Sequence, residues 1–353
     1  MDRMVSAINI AGRLVGPGHP CFIVAEVGVN HNGEVGKARQ LIDVAVRAGA
    51  DAVKFQTFTA ESLATLNAPK AAYQRQTTGE VESQFEMLRR LELSPRVHRE
   101  LMSYCHDQKI LFMSTPFDQS SADMLEGLGV PAFKVPSSEI PNVSLLAHLA
   151  RKGKPMIIST GMSWLGEVEL AVRTVYDSGN REVALLHCVS NYPANPADVN
   201  LRAMQTMAAA FKVPVGFSDH TVGIEAALAA VALGACIIEK HITLDRRLPG
   251  PDHRSSLQPD ELTMLVSGIR KVELVLGSGC KKPAASEAEV ATVARKSIVA
   301  AKDIPGGSKL SSEMLALKRP GTGLPPTMCS ILVGRIAKHD IPVGTMLTFD
   351  MIA

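Results

Sequence analysis

Eight short apolar runs, each followed by a helical stretch, occupy most of the first 280 residues of this 353-residue chain. The runs cover 21–29, 51–58, 110–117, 132–138, 155–162, 183–190, 214–219 and 235–243 and are rich in Val, Ile and Phe. Such runs read as strands buried on both faces. Between the first two, 36–48 places Ala38, Leu41, Ile42, Ala45 and Ala48 on one helical stripe. Ala48-Gly49, Leu128-Gly129 and Leu233-Gly234 stand just before a strand, where glycine supplies a left-handed helix end. Eight such units over about 250 residues predict an α/β fold, a (β/α)8 TIM barrel. An open doubly wound sheet is the competitor. It is disfavoured because eight units fit and no G-x-G-x-x-G follows the first strand.

The texture changes near residue 280. The reading is a catalytic barrel over 1–280, a polar, Ala-rich linker over 281–295, and a small domain over 296–353. The small domain holds an internal repeat, D-I-P-x-G-S/T-x-L-S/T-x-acid-M, starting at Asp303 and again at Asp340. Two copies predict pseudo-symmetry, with short strands, turns and a marginal core. One connection, 59–95, is unusually long for a compact domain, and such excursions are usually functional.

A net charge of +2 without like-charge blocks argues against nucleic acid as an obligatory partner. No apolar run approaches the ~20 residues of a membrane span, and the first residues carry no signal-type apolar core. Six scattered cysteines without C-x-x-C read as reduced thiols of a cytoplasmic protein. Cys188 and Cys236 lie inside apolar runs and are expected to pack in the core.

Buried strands should be apolar, yet nearly every run ends in polar residues. In order these are Glu26, Asn30 and His31; Lys54 and Gln56; Ser114 and Thr115; Lys134, Ser137, Ser138 and Glu139; Ser159 and Thr160; His187, with Tyr192 beyond; Ser218, Asp219 and His220; Glu239, Lys240 and His241. In a barrel these ends converge on the active-site face. Lys54 and Lys134 among the hydroxyls of Thr115, Ser137, Ser159 and Ser218 suit a phosphate or carboxylate. His220 and His241, closing adjacent strands, suit an open divalent site completed by water. Glu26 and Glu239 are candidates for acid–base work or for supporting the metal site.

At these residues the sequence resembles the N-acetylneuraminate (sialic acid) synthases and their legionaminate-forming relatives. The matching segments are A-E-V-G-V-N-H-N-G from Ala25, A-V-K-F-Q-T-F from Ala52, A-P-K-A-A-Y-Q from Ala68, S-T-P-F from Ser114 and F-K-V-P-S-S-E from Phe133. They continue with S-T-G-M from Ser159, L-H-C from Leu186, Y-P from Tyr192, G-F-S-D-H from Gly216, I-E-K-H-I-T-L-D from Ile238, G-P-D-H from Gly250 and K-R-P-G-T-G from Lys318. The resemblance implies a barrel followed by an antifreeze-protein-like (SAF) domain, working as a domain-swapped homodimer. It implies that His220 and His241 hold a divalent metal, usually manganese, with magnesium or cobalt as substitutes. Lys54, Thr115, Lys134, Ser137, Ser159 and Ser218 would hold phosphoenolpyruvate. Gln56, Glu139, Tyr192 and Asp252 would face an acylated amino-sugar. Arg319 would bind the acylamino group in the partner's site. Glu26, Glu139 and Glu239 are the candidate catalytic carboxylates.

The implied reaction is condensation of phosphoenolpyruvate with N-acetylmannosamine and water, giving N-acetylneuraminate and phosphate. The alternative is legionaminate synthesis from 2,4-diacetamido-2,4,6-trideoxymannose. Outside the family, a Schiff-base aldolase using Lys54 or Lys134 is the rival. Two positions depart from the family pattern: Ser138 replaces a glycine, and Ala72 replaces a glutamate.

Overall fold

In the computed structural model, which describes residues 5–79 and 81–353, the eight runs form eight parallel strands. A short antiparallel hairpin precedes them, β1 (Ile8–Ile10) and β2 (Arg13–Val15). The strands are β3 (Phe22–Gly28), β4 (Ala52–Thr57), β5 (Leu111–Pro116), β6 (Phe133–Val135), β7 (Met156–Ser159), β8 (Val183–Cys188), β9 (Val215–Asp219) and β10 (Ile237–His241). Their hydrogen-bonded order is β5-β4-β3-β10-β9-β8-β7-β6, and β5 and β6 lie side by side, so the sheet curls into a nearly closed barrel. The helices are α1 (Val35–Ala48), α2 (Ala60–Leu63), α3 (Ala72–Thr78), α4 (Gln84–Leu91), α5 (Pro95–Asp107), α6 (Gln119–Leu128), α7 (Val143–Arg151), α8 (Leu165–Asp177), α9 (Ala203–Phe211), α10 (Glu225–Ala232) and α11 (Pro259–Leu276). No helix among the described residues is long and apolar enough to cross a membrane.

Local chemistry sets the boundaries. Ser94, Asp118 and Asn142 accept hydrogen bonds from the first turns of α5, α6 and α7. The three anticipated glycines take positive φ: 80° at Gly49, 85° at Gly129 and 99° at Gly234. Glycine takes this conformation without the strain a side chain would meet, so the strand follows its helix after only three or four residues.

Side chains alternate across each strand. Outward residues such as Ile23, Val53, Phe112, Phe133, Ile158, Leu185, Phe217 and Ile238 pack with the helices in the main core. Inward residues are apolar at the strand starts: Phe22, Val24, Ala52, Met113, Ala132, Ile157, Ala184 and Ile237. Ile8, Ile10 and Val15 of the hairpin join this inner cluster and floor the barrel. Burial of each contributes about 1.5–3 kcal/mol. Arg13 adds an ion pair to Asp51 at 2.6 Å, and Arg270 reaches the same carboxylate at 3.2 Å. This hairpin is not legible in the sequence, because three-residue strands carry little periodicity.

The second unit, Ser278–Ala353, has its own core of Ile298, Ile304, Leu310, Leu332, Ile341, Leu347 and Ile352. The stretch read as a linker contains helix α12 (Ala288–Ala294). Strands β11 (Ser297–Ala300) and β12 (Leu315–Lys318) pair antiparallel. The repeat forms a reciprocal pair. Ile304 N donates to Ile341 O and Ile341 N to Ile304 O, both at 2.9 Å. Asp340 Oδ1 accepts from Gly306 N, and Asp303 Oδ1 from Val343 N, each at 2.7 Å. Each aspartate thus ties down the turn of the other copy. Loss of either bond should cost about 1 kcal/mol. Amide exchange should rise at Gly306 in Asp340→Ala and at Val343 in Asp303→Ala. Exchange rising instead in the mutated copy's own turn would contradict the crossed arrangement.

Candidate active site

The inward stripe changes character one layer above the apolar floor. The residues there are Glu26, Lys54, Thr115, Lys134, Ser159, Cys188, Ser218 and Glu239, all 5% exposed or less. They line a cavity of about 470 Å³ at the carboxyl ends of the strands. Lys54 Nζ lies 2.7 Å from Glu26 Oε2, 2.9 Å from Thr115 Oγ1 and 3.7 Å from Glu239 Oε2. Lys134 Nζ donates to Ser159 Oγ at 2.6 Å and Val135 O at 3.0 Å, and lies 3.8 Å from Glu239 Oε1. Ser218 donates to that same carboxylate oxygen at 2.8 Å. Two cations and two carboxyls therefore share one dry chamber.

Their protonation is pushed apart. Burial raises the Glu26 carboxyl from 4.5 to about 7, against the pull of Lys54. Burial also acts on Glu239, but Lys134 and Lys54 outweigh it and hold that carboxyl below its ordinary value. Lys54 is raised, because Glu239 and Glu26 outweigh its burial, whereas burial lowers Lys134. Two carboxyls separated in this way suit one ionised and one proton-carrying role.

Above them lie Gln56, Tyr192, His220, His241 and Asp252. His220 Nδ1 donates to Val189 O at 2.6 Å, which leaves Nε2 its lone pair. The His241 ring lies 5.6 Å from that of His220, and its Nδ1 is buried without a hydrogen-bond partner. Burial lowers both imidazoles, His220 to about 4, so each is neutral near pH 7. His220 Nε2 has only a 3.4 Å contact to Ser218 Oγ, whose proton goes to Glu239, so both neutral rings keep a nitrogen lone pair fit for a divalent cation. Among the described residues no group of three or more His, Cys, Asp or Glu could hold an ion, so these two would leave positions for water or substrate. Asp252 Oδ2 stands 3.7 Å from His241 Nδ1, and burial raises its carboxyl to about 6. Tyr192 packs on His220 at 4.1 Å between ring centroids and meets Tyr73 at 5.3 Å.

The long excursion forms one wall through Leu63, Ala71, Tyr73, Gln74, Gln84, Met87, Leu88 and Leu91. Lys70 braces it from inside, donating to Gly79 O at 2.7 Å and Thr78 Oγ1 at 3.0 Å. Ala72 is exposed on α3 and does not line the cavity. Ser138 does line it, within a right-handed 3-10 turn that any residue adopts.

The structure separates other residues from this group. Glu139 does not line the cavity; its carboxylate is held by Asn142 Nδ2 at 2.7 Å and Ser138 Oγ at 3.1 Å. Arg319 lies in the second unit, exposed at the end of β12. His187, Asp219 and Lys240 were grouped with the polar strand ends, but alternation turns them outward. His187 stacks on Phe217 and bonds Val199 O. Cys188, expected as packing, lines the cavity with Sγ 3.2 Å from Ser137 Oγ. Counting by twos from Leu186, an inner-floor residue, would have revealed it. Tyr73 was also missed, though its motif stood out.

Fold and site together define a (β/α)8-barrel enzyme with a lysine–carboxyl cup beneath two neutral imidazoles. Comparison with known proteins narrows this. The NeuB family model matches residues 41–281 and the SAF domain model residues 295–353, so the chain belongs to the NeuB family. It is a synthase of the kind that condenses phosphoenolpyruvate with a sugar. It is 48% identical to the N,N'-diacetyllegionaminic acid synthase of Legionella pneumophila, over 94% of both chains. With the synthase of that name from Campylobacter jejuni it shares 47% identity, over 90% of this chain and 96% of the other. The crystal structure of N-acetylneuraminic acid (sialic acid) synthetase from Leptospira borgpetersenii, in complex with citrate, superposes with a TM-score of 0.72. Identity is 36%, covering 82% of this chain and 96% of that one.

The raised Glu26 carboxyl has a measurable signature. Its folded-state pKa of about 7 exceeds the ordinary 4.5. Its stability contribution is therefore complete below about pH 4.5 and is lost as pH rises through about 7. Glu26→Gln should remove that part of the melting temperature's pH dependence. A carboxyl band titrating near 7 by infrared difference should vanish with it. A Glu26 already ionised at pH 5 would contradict the burial argument.

Proposed function

We propose that this enzyme is a legionaminate synthase, joining phosphoenolpyruvate to 2,4-diacetamido-2,4,6-trideoxymannose. The observation that carries this reading is its likeness, over at least 90% of its length, to two synthases named for N,N'-diacetyllegionaminic acid. It moves the conclusion from the sialic acid product, the leading expectation from sequence, to the alternative. The cavity is compatible: Leu63, Met87, Leu88 and Leu91 make an apolar wall suited to a deoxy carbon and acetamido methyls. N-acetylmannosamine is the second reading, favoured by the Leptospira likeness.

In this reading Lys54 and Lys134 take the phosphate and carboxylate of phosphoenolpyruvate, assisted by Thr115, Ser137, Ser159 and Ser218. Gln56, Tyr192 and Asp252 orient the open-chain sugar. His220 and His241 would hold a divalent cation, manganese in our reading, which supplies Lewis-acid polarisation of the aldehyde. C3 of phosphoenolpyruvate forms the new bond to the aldehyde carbon, whose oxygen takes a proton. Water adds at C2, and phosphate leaves with cleavage of its bond to C2. Glu239, ionised, counters the developing positive charge at C2. Glu26, whose pKa lies near neutrality, can hold or release the proton moved in the water step.

The test is a sugar panel with phosphate release as readout. The diacetamido sugar should give a kcat/KM at least tenfold above that of N-acetylmannosamine, a margin of about 1.4 kcal/mol. The reverse order returns the assignment to sialic acid. Chelation should abolish turnover with either sugar, and manganese should restore it. Full activity after chelation would end the metal assignment.

The dimer is part of the proposal. Arg319 offers a planar, multiply donating group suited to an acyl carbonyl, and we assign it to the partner's sugar site. Neither Arg319→Ala nor His241→Ala should be active alone. Mixed and allowed to exchange subunits, they should regain activity, because one site of the mixed dimer is intact. A mixture that stays inactive after demonstrated exchange excludes action across subunits.

A further inference from the structure

Beneath the two imidazoles, on the opposite face of the same strands, lies a buried ion pair with no part in the chemistry above. Lys240 and Asp219 are both fully buried, and their contact is 2.8 Å. They are directly paired across β10 and β9. Alternation sends Ser218, His220, Glu239 and His241 into the cavity, so Asp219 and Lys240 face the helix layer. That layer is apolar, and an ion pair there is often no more stabilising than hydrophobic residues of the same volume. Stability alone therefore gives little reason for it.

Its connections give a better one. Lys240 Nζ also donates to Thr221 O at 2.6 Å. The Thr221 amide and hydroxyl both donate to Asp219 Oδ1, at 2.8 Å and 2.7 Å. These four bonds close a loop around His220, whose sequence neighbours are Asp219 and Thr221. They anchor it to Lys240, the residue before His241. We propose that Asp219, Thr221 and Lys240 are positioning residues that fix the spacing of the two imidazoles for a divalent cation. This rests on the reading of His220 and His241 as metal-holding residues.

The experiment measures manganese binding directly, by the electron paramagnetic resonance signal of free ion in titrations of apo-protein. The variant is Asp219→Asn with Lys240→Met. It leaves no lone buried charge and retains an acceptor for Thr221, but removes the side-chain tie that Lys240 makes to Asp219 and Thr221, while the backbone pairing of β9 and β10 stays. Loss of supporting bonds around metal-holding residues typically weakens affinity 10–100-fold. Manganese affinity should fall at least tenfold, while the melting temperature and the metal-free affinity for phosphoenolpyruvate stay near wild type. Affinity within twofold of wild type overturns the proposal. So does a parallel loss of phosphoenolpyruvate binding, which marks general damage to the barrel mouth. If the double variant does not fold, Thr221→Val removes one of the four bonds and keeps the pair. It should weaken manganese binding several-fold, and no change there is equally fatal. A wild-type protein that binds no manganese would instead refute the metal reading itself.

Discussion

Four ionisable groups confined in one chamber govern this molecule. Glu26, Lys54, Glu239 and Lys134 form one chain of contacts, at 2.7, 3.7 and 3.8 Å in that order, and are almost wholly buried. Removing such charges from solvent costs several kcal/mol each unless they are paired and hydrogen-bonded. Three strands supply hydroxyls for that compensation: Thr115 from β5, Ser159 from β7 and Ser218 from β9. The barrel is thus both the cause of the burial and the source of its remedy. Before substrate arrives, the carboxyls occupy the lysines. An incoming dianion competes with them, and Glu26, with a pKa near neutrality, is the group able to yield its charge.

The sequence exposed the layout of this chamber because the barrel gathers its strand ends on one face. Lys54, Thr115, Lys134, Ser159, Ser218 and Glu239 were all legible from position alone. Parity was harder to see. Several strands also end in outward polar residues, and a run of letters does not separate Glu239 from Lys240. Register does, and it moved His187, Asp219 and Lys240 away from the cavity. Glu139 illustrates another limit. It lies just past β6 in a 3-10 turn, where Asn142, three residues on, captures its carboxylate. The hairpin floor and the Lys70 brace depend on contacts between segments distant from any repeating pattern. The repeat at Asp303 and Asp340 was visible, but the crossing of its two bonds was not.

The excursion after β4 and the barrel strands make different parts of the cavity lining. The charged cup is built from strands, whose places are set by the register of the barrel. The wall facing it is built from α2 to α4, a segment braced by Lys70. Phosphoenolpyruvate chemistry can remain constant while the wall changes the sugar. The likeness of this chain to synthases named for different sugars is consistent with that division of labour.

The hairpin floor has a consequence in time. Ile8, Ile10 and Val15 are synthesised well before part of the surface they cover: Cys236 and Ile237 follow more than two hundred residues later. At roughly 5–20 residues per second, that is on the order of tens of seconds. Through that interval the hairpin segment lacks part of the apolar surface its aliphatic side chains pack against. It cannot reach its final place until the last strand arrives. Ring closure and floor closure are therefore one late event, and the barrel becomes watertight only when synthesis of its last strands is done.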